Sequence, residues 1–276
     1  MRRLLLASLL AIVGCRPAPD RPATPPVAQR IVSLAPSSTE LLFALGAGGQ
    51  VVGRTTWCRY PPAALQVTDV GDGLNPNIEA IAARRPDLVV LYRSQLNETA
   101  ATQLARLGIP SVTLAQDRLE DIGRAARALG RLTGRQTAGD SIGAAMEALL
   151  RTPAPAPIRR VAFVVWDNPP MIIGAGSYLD QLATLAGGVN VFHDLSAASA
   201  TVSIETIVAR NPDVILVLSD STAPPAYSAR REWRAIRAVR EGRFIMLPAD
   251  LFGRPSPSAP AAVAALHRML ETEAQR

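Results

Sequence analysis

The 276-residue sequence predicts an α/β protein of two lobes, each built on a parallel sheet, joined by a single interdomain helix. Three observations carry this prediction. Short continuous apolar runs alternate with helical segments, the pattern of strands covered by helices on both faces of a parallel sheet. The stretch "NIEAIAARRPDLVVLY" (77–92) returns without a gap as "SIETIVARNPDVILVL" (203–218), 126 positions later. Between the copies lies one long helical stretch, Leu119 to Leu150, stopped by the prolines of "TPAPAP".

The elements follow in order. Arg2 and Arg3 precede an apolar run, Leu4 to Val13, that is too short to span a bilayer and reads as a targeting leader. It ends in "IVGC" at Cys15. A Pro-rich tract to Gln29 follows, a semi-rigid spacer without a core. "RIVSLA" is the first strand, and "SSTELLFALGA" the first helix, with Ser37 and Glu40 spaced as a capping box. "GAGGQVVG" turns into a short strand, and a long loop carries Trp57, Cys58 and Tyr60. Asn77 caps the first repeat helix, Pro86 ends it, and "DLVVLY" is a buried strand. A helix from Glu98 to Leu107 leads to the strand "SVTL". The long helical stretch breaks at Gly134; its later half, about 16 residues, spans roughly 24 Å. "RRVAFVVW" opens the second half, "GAGSYLDQLATLAGG" is a turn and helix with Ser177 and Asp180 near capping positions, and "VNVF" mirrors "QVVG". After the second repeat copy come a helix from Ser228 to Val239, the strand "RFIML" and a last helix from Pro257. The expected organisation is a leader over 1–14, a tether over 15–29, an N-terminal lobe over 30–133, a connecting helix and linker over 134–157, and a C-terminal lobe over 158–276.

The net charge is +6, and all 29 basic residues are Arg, scattered along the chain. With aromatics at 4% and no basic cluster, nucleic acid is not an expected partner. "GDSIG" (139–143) fits a nucleophile motif but lies inside an Ala-rich helix, where no strand precedes it. The two histidines, His193 and His267, are far apart, so neither a metal site nor a catalytic constellation is expected.

In open parallel sheets ligands sit beyond the carboxyl ends of the strands. Large rings stand there: Tyr92, Trp166 and Phe252, with Trp57 and Tyr60 from the long loop. Arg93, Asp250 and Arg254 flank them. Apolar walls with a few oriented polar groups suit a bulky organic ligand held in a cleft between two Rossmann-like lobes.

"RIVSLAPSSTELLFALG", "WCRYPP", the paired "IExIxARxPD" blocks and "FGRPSP" resemble the substrate-binding lipoproteins of ABC importers for vitamin B12, ferric siderophores and haem, over essentially the whole body. The cobalamin-binding members match most closely, through "VVGRTTWCRYPPAA" and "NPPMIIGAGSYLDQL". The resemblance implies cleavage before Cys15 and lipidation of its thiol, anchoring the protein at the periplasmic or extracellular face of a membrane. It implies a corrinoid between the lobes, and Glu79 and Glu205 docking onto a permease dimer. No cofactor beyond this transported cobalamin-like ligand is implied. Haem or a ferric siderophore is the alternative ligand; an extracytoplasmic hydrolase on the same fold ranks below both. Where B12-binding relatives carry a tryptophan before the first block, this sequence has Gly73 or a neighbour, and where the resemblance implies another large ring before the second block it has "SAASATV", so two ring contacts of that group are missing here.

Overall fold

The computed structural model describes residues 27–275. The leader, Cys15 and most of the spacer lie outside them. The first lobe runs β1 (Ile31–Ser33), α1 (Pro36–Ala44), β2 (Val51–Arg54), α2 (Ile78–Ala83), β3 (Leu88–Tyr92), α3 (Gln95–Arg106) and β4 (Ser111–Leu114). Its strands form a wholly parallel sheet in the order β2-β1-β3-β4. Next come α4 (Leu119–Leu132) and α5 (Gln136–Arg151). The second lobe runs β5 (Arg159–Asp167), β6 (Pro170–Ile173), α6 (Tyr178–Leu185), β7 (Gly188–Asn190), β8 (Ser199–Thr201), α7 (Ile204–Arg210), β9 (Val214–Leu218), α8 (Arg237–Arg240), β10 (Phe244–Leu247), α9 (Ala249–Phe252) and α10 (Ala259–Ala274).

Three expectations need correction. The second sheet is mixed. β10, β9, β5 and β7 pair in parallel, but β6 and β8 add antiparallel. Asp167 pairs directly with Pro170, so Asn168 and Pro169 form a two-residue hairpin, a connection that permits only antiparallel pairing. The expected helix from Ser228 to Val239 is instead two single turns and the four-residue α8, because Trp233 and Tyr227 are drawn inward to stack at 4.2 Å. Finally, Ser37 does not cap α1. That helix starts at Pro36, and its Glu40 is committed elsewhere.

The repeat has a structural meaning. Asn77 caps α2 through Ala80 N–H, and Ser203 caps α7 through Thr206 N–H. Arg85 and Asn211, at matched positions, both take left-handed conformations, with φ of 47° and 45°. Each turn then delivers a carboxylate to the start of its lobe's first strand. Asp87 accepts from the N–H groups of Gln29 and Arg30, and Asp213 from that of Arg160. The arginines reply: Arg30 donates to Arg84 O at 2.6 Å and Arg160 to Arg210 O at 2.7 Å. The same staple closes both lobes.

α4 and α5 form an antiparallel hairpin. The glycines of "GDSIG" lie within α5, and a Cβ on Gly139 would stand 2.5 Å from Ala126 O, so this residue lets the backbones approach. One apolar core runs unbroken from Leu41 and Ile122 through Met146 to Phe163, Leu182 and Leu266. The lobes therefore share an interior rather than hanging from a bare helix. Among the described residues, no helix is long and apolar enough to cross a membrane.

Candidate functional site

At the strand carboxyl ends lie two cavities that share Pro36, Ser37 and Trp57. One, of ≈ 280 Å³, lies wholly in the first lobe. Leu34, Trp57, Leu74 and Tyr92 wall it; Asn97 and Asp117 contribute polar groups. The other, of ≈ 590 Å³, bridges the lobes, with Arg59 and Tyr60 on one side and Asp220, Asp250 and Arg254 on the other.

Beside the bridging cavity Glu40, 4% exposed, crosses to the second lobe. Its Oε2 accepts from Arg254 Nε at 2.5 Å, and its Oε1 from the hydroxyls of Ser256 at 2.6 Å and Ser258 at 3.4 Å. Arg254 lies over the Tyr60 ring at 4.5 Å, a cation–π contact that orients the ring. The "FGRPSP" motif thus has a structural role: its Arg254 and Ser256, with Ser258 just beyond, satisfy one buried carboxylate of the opposite lobe. Further ties cross nearby. Tyr178 N–H donates to Asp117 O at 2.9 Å, Leu119 N–H to Gln181 Oε1 at 2.9 Å, and Gln181 Nε2 to Glu120 at 2.7 Å.

In the first-lobe cavity, Tyr92 OH donates to Asp117 Oδ1 at 2.5 Å. Burial, then the Asp117 hydrogen bond and charge, push the phenol up to about 12. Asn97, 1% exposed, donates from Nδ2 to Tyr92 O at 2.8 Å. A Cβ on Gly73 would stand 2.3 Å from Leu34 O. No larger residue fits there without moving the chain.

The structure brings five of the sequence-predicted residues to the cleft: Trp57, Tyr60, Tyr92, Asp250 and Arg254. Trp57, 61% exposed, stands where the two cavities join. Phe252 is a correction: it is 0% exposed and packs in the shared core, because α9 turns its ring inward while Asp250 stays at the cavity. Trp166, also 61% exposed, lines neither cavity; its Nε1 donates to Asn168 O within the β5–β6 hairpin. Arg93 is exposed and lines neither cavity. Asp180 does not complete a cap. It is buried, accepting from Asn190 and bonded to His193. Sequence reasoning missed Asn97, Asp117 and Asp220. Asp117 and Asp220 follow the carboxyl ends of β4 and β9, so the rule that selected Tyr92 would have found them; the burial of Asn97 leaves no such trace.

Glu79 and Glu205 are exposed in the first turns of α2 and α7. The Glu205 carboxyl is held below its usual range by its own backbone N–H, then by the Ser203 hydroxyl. Both helices precede parallel strands, so both N-termini stand at the cleft end of the molecule. Among the described residues, no group of three or more acidic, His or Cys residues is placed to hold a metal ion.

The family described as periplasmic binding protein matches residues 31–251. The vitamin B12-binding protein of Salmonella paratyphi A is 32% identical over 234 residues, covering 83% of this chain and 85% of that one. The crystal structure of the periplasmic vitamin B12-binding protein BtuF of Vibrio cholerae is similar at a TM-score of 0.74 and 26% identity, covering 90% of this chain and 99% of that one. The periplasmic heme-binding protein RhuT of Roseiflexus sp. RS-1 is similar at 0.77 and 26%, covering 90% and 100%.

Proposed function

Because the chain belongs to the periplasmic binding protein family, an extracytoplasmic class of the B12, haem and siderophore type, we propose that it captures a corrinoid in its cleft and delivers it to an ABC importer. In this reading Cys15 carries the lipid that tethers the body to the outer face of a membrane. The observation that carries the corrinoid is the cleft itself: Trp57 stands exposed at the junction of two cavities, one largely apolar-walled and contained in the first lobe, one lined by Arg and Asp. A broad ring can lie against the aromatic face while polar arms reach into both. Glu79 and Glu205 present matched carboxylates to a two-fold permease.

Haem is the second reading, favoured by Tyr60, which lines the bridging cavity beside Arg254. A tyrosine that ligates iron does so as phenolate. Tyr92, with its phenol pushed up to about 12 and bonded to Asp117, resists that state.

Incubation of the mature protein with cyanocobalamin, haem or a ferric siderophore, followed by desalting and an absorption spectrum, separates the readings. Retention of cobalamin at one equivalent is expected; retention of haem alone would replace it. The charge reversals Glu79→Arg and Glu205→Arg together should abolish uptake through the cognate importer and leave ligand affinity at its wild-type value. Normal import by this double variant would remove the docking role.

A further inference from the structure

The two halves of the cleft differ in charge. The bridging cavity is lined by Arg59 and Arg254 as well as by Asp220 and Asp250. The first-lobe cavity is lined by Asp72, Asp117 and Tyr92, and by no Arg. One oxygen of each carboxylate is used locally: Asp117 Oδ1 accepts from Tyr92 OH, and Asp72 Oδ1 from Leu74 N–H at 3.0 Å. The amide donor of Gln116 is committed to Ser38 Oγ at 2.8 Å. Asn97 provides an independent sign of a ligand. It is 1% exposed, lines this cavity, and its Oδ1 has no hydrogen-bond partner. Its orientation is fixed, because a flipped amide would set Oδ1 against Tyr92 O. Buried acceptors are normally paired, so an orphan on a residue beside the cavity asks for a donor.

A primary amide brings N–H donors and no charge. A carboxylate brings only acceptors, and a charge of the same sign as Asp72 and Asp117. We propose that the first-lobe cavity reads an amide-bearing arm of the ligand through Asn97 and Asp117 and rejects carboxylate arms. This rests on the transport reading above and deepens it: amide arms belong to corrinoids, carboxylate arms to haem.

The test uses two matched pairs of probes on the mature protein, titrated by fluorescence and calorimetry. The first pair is cobinamide, whose arms are amides, and cobyrinic acid, the same ring with carboxylic acids. The second is haem and its bis-amide. Like charges brought together cost enough to separate each pair by about 100-fold, so cobinamide should bind that much more tightly than cobyrinic acid. Asp117→Asn keeps an acceptor for Tyr92 and removes the charge. It should narrow the gap at least tenfold, mainly by tightening the acid. Acid and amide binding equally in both pairs would overturn the proposal, as would a gap unchanged by Asp117→Asn. If corrinoids fail in both forms while the bis-amide outbinds haem, the corrinoid reading falls and the amide-reading cavity stands. If no macrocycle binds, both fall.

Discussion

Replacing Glu40 with alanine tests whether the lobes are clasped by a buried charge. Glu40 is 4% exposed at its side chain and Arg254 12%, so solvent screens little of the pair. The substitution leaves Arg254 Nε and the hydroxyls of Ser256 and Ser258 without their acceptor. Arg254 already has a buried Nη2 without a partner, and what remains to it is a 3.4 Å bond from Nη1 to Ala249 O and the Tyr60 ring, neither of which carries a charge. Removing one member of a buried pair typically costs about 3–5 kcal/mol. For a chain of this size each kcal/mol moves the melting midpoint about 2–4 °C, giving a drop of about 6–20 °C. Urea unfolding should show the loss as a lower midpoint at an unchanged slope. The paired change Glu40→Leu with Arg254→Met removes both charges together and should come back to within about 1–2 kcal/mol of wild type. A cycle of the two single and one double variants measures the coupling. A loss below about 1 kcal/mol for Glu40→Ala, or a double variant as unstable as the two singles combined, would refute the clasp.

Trp57→Ala should leave stability within about 0.5 kcal/mol and weaken ligand binding by about 2 kcal/mol, whereas Phe252→Ala should cost about 3–5 kcal/mol of stability. Thermal melts and a binding titration on both variants check their separate placements, and reversed effects would undo them. Tyr92 gives a pH dependence. Its folded value, about 12, lies above the ordinary 10.0, because burial and then Asp117 disfavour the phenolate. The protonated phenol therefore contributes stability that is complete below pH 10 and lost as pH rises toward 12. Tyr92→Phe should flatten that part of the stability profile in urea titrations from pH 9 to 12; an unchanged slope would remove Tyr92 as the cause.

The parts of the fold legible in the sequence are those fixed by local pattern. The repeat located α2 with β3 and α7 with β9 because caps, helix-ending prolines and apolar runs are all local signals. The single turns around Trp233 were misread as a helix because the pull of Tyr227 and the core is tertiary. β6 was missed because a Pro-rich hairpin carries little strand propensity, yet it pairs through the backbone of a long neighbour. Glu40 shows the same limit most clearly. Its spacing from Ser37 fits a cap, and only the meeting of residues 214 positions apart reveals its partner. At the site, rings past strand ends were legible, but Phe252 shows that position along the chain does not fix the side to which a ring turns.

The unbroken core through Met146 bears on timing. Lobes with separate interiors drift apart on their own, and cargo escapes whenever they do. Here spreading the cleft would part packed apolar side chains and draw Arg254 away from Glu40. The resting molecule therefore keeps a nearly fixed aperture, and a ligand arriving from solution meets a mouth already shaped for it, without waiting for a rare open form. The same stiffness removes any inner means of letting go. In the transport role proposed above, the work of widening the mouth comes from the docked importer, so the moment of unloading belongs to that partner and not to the cargo.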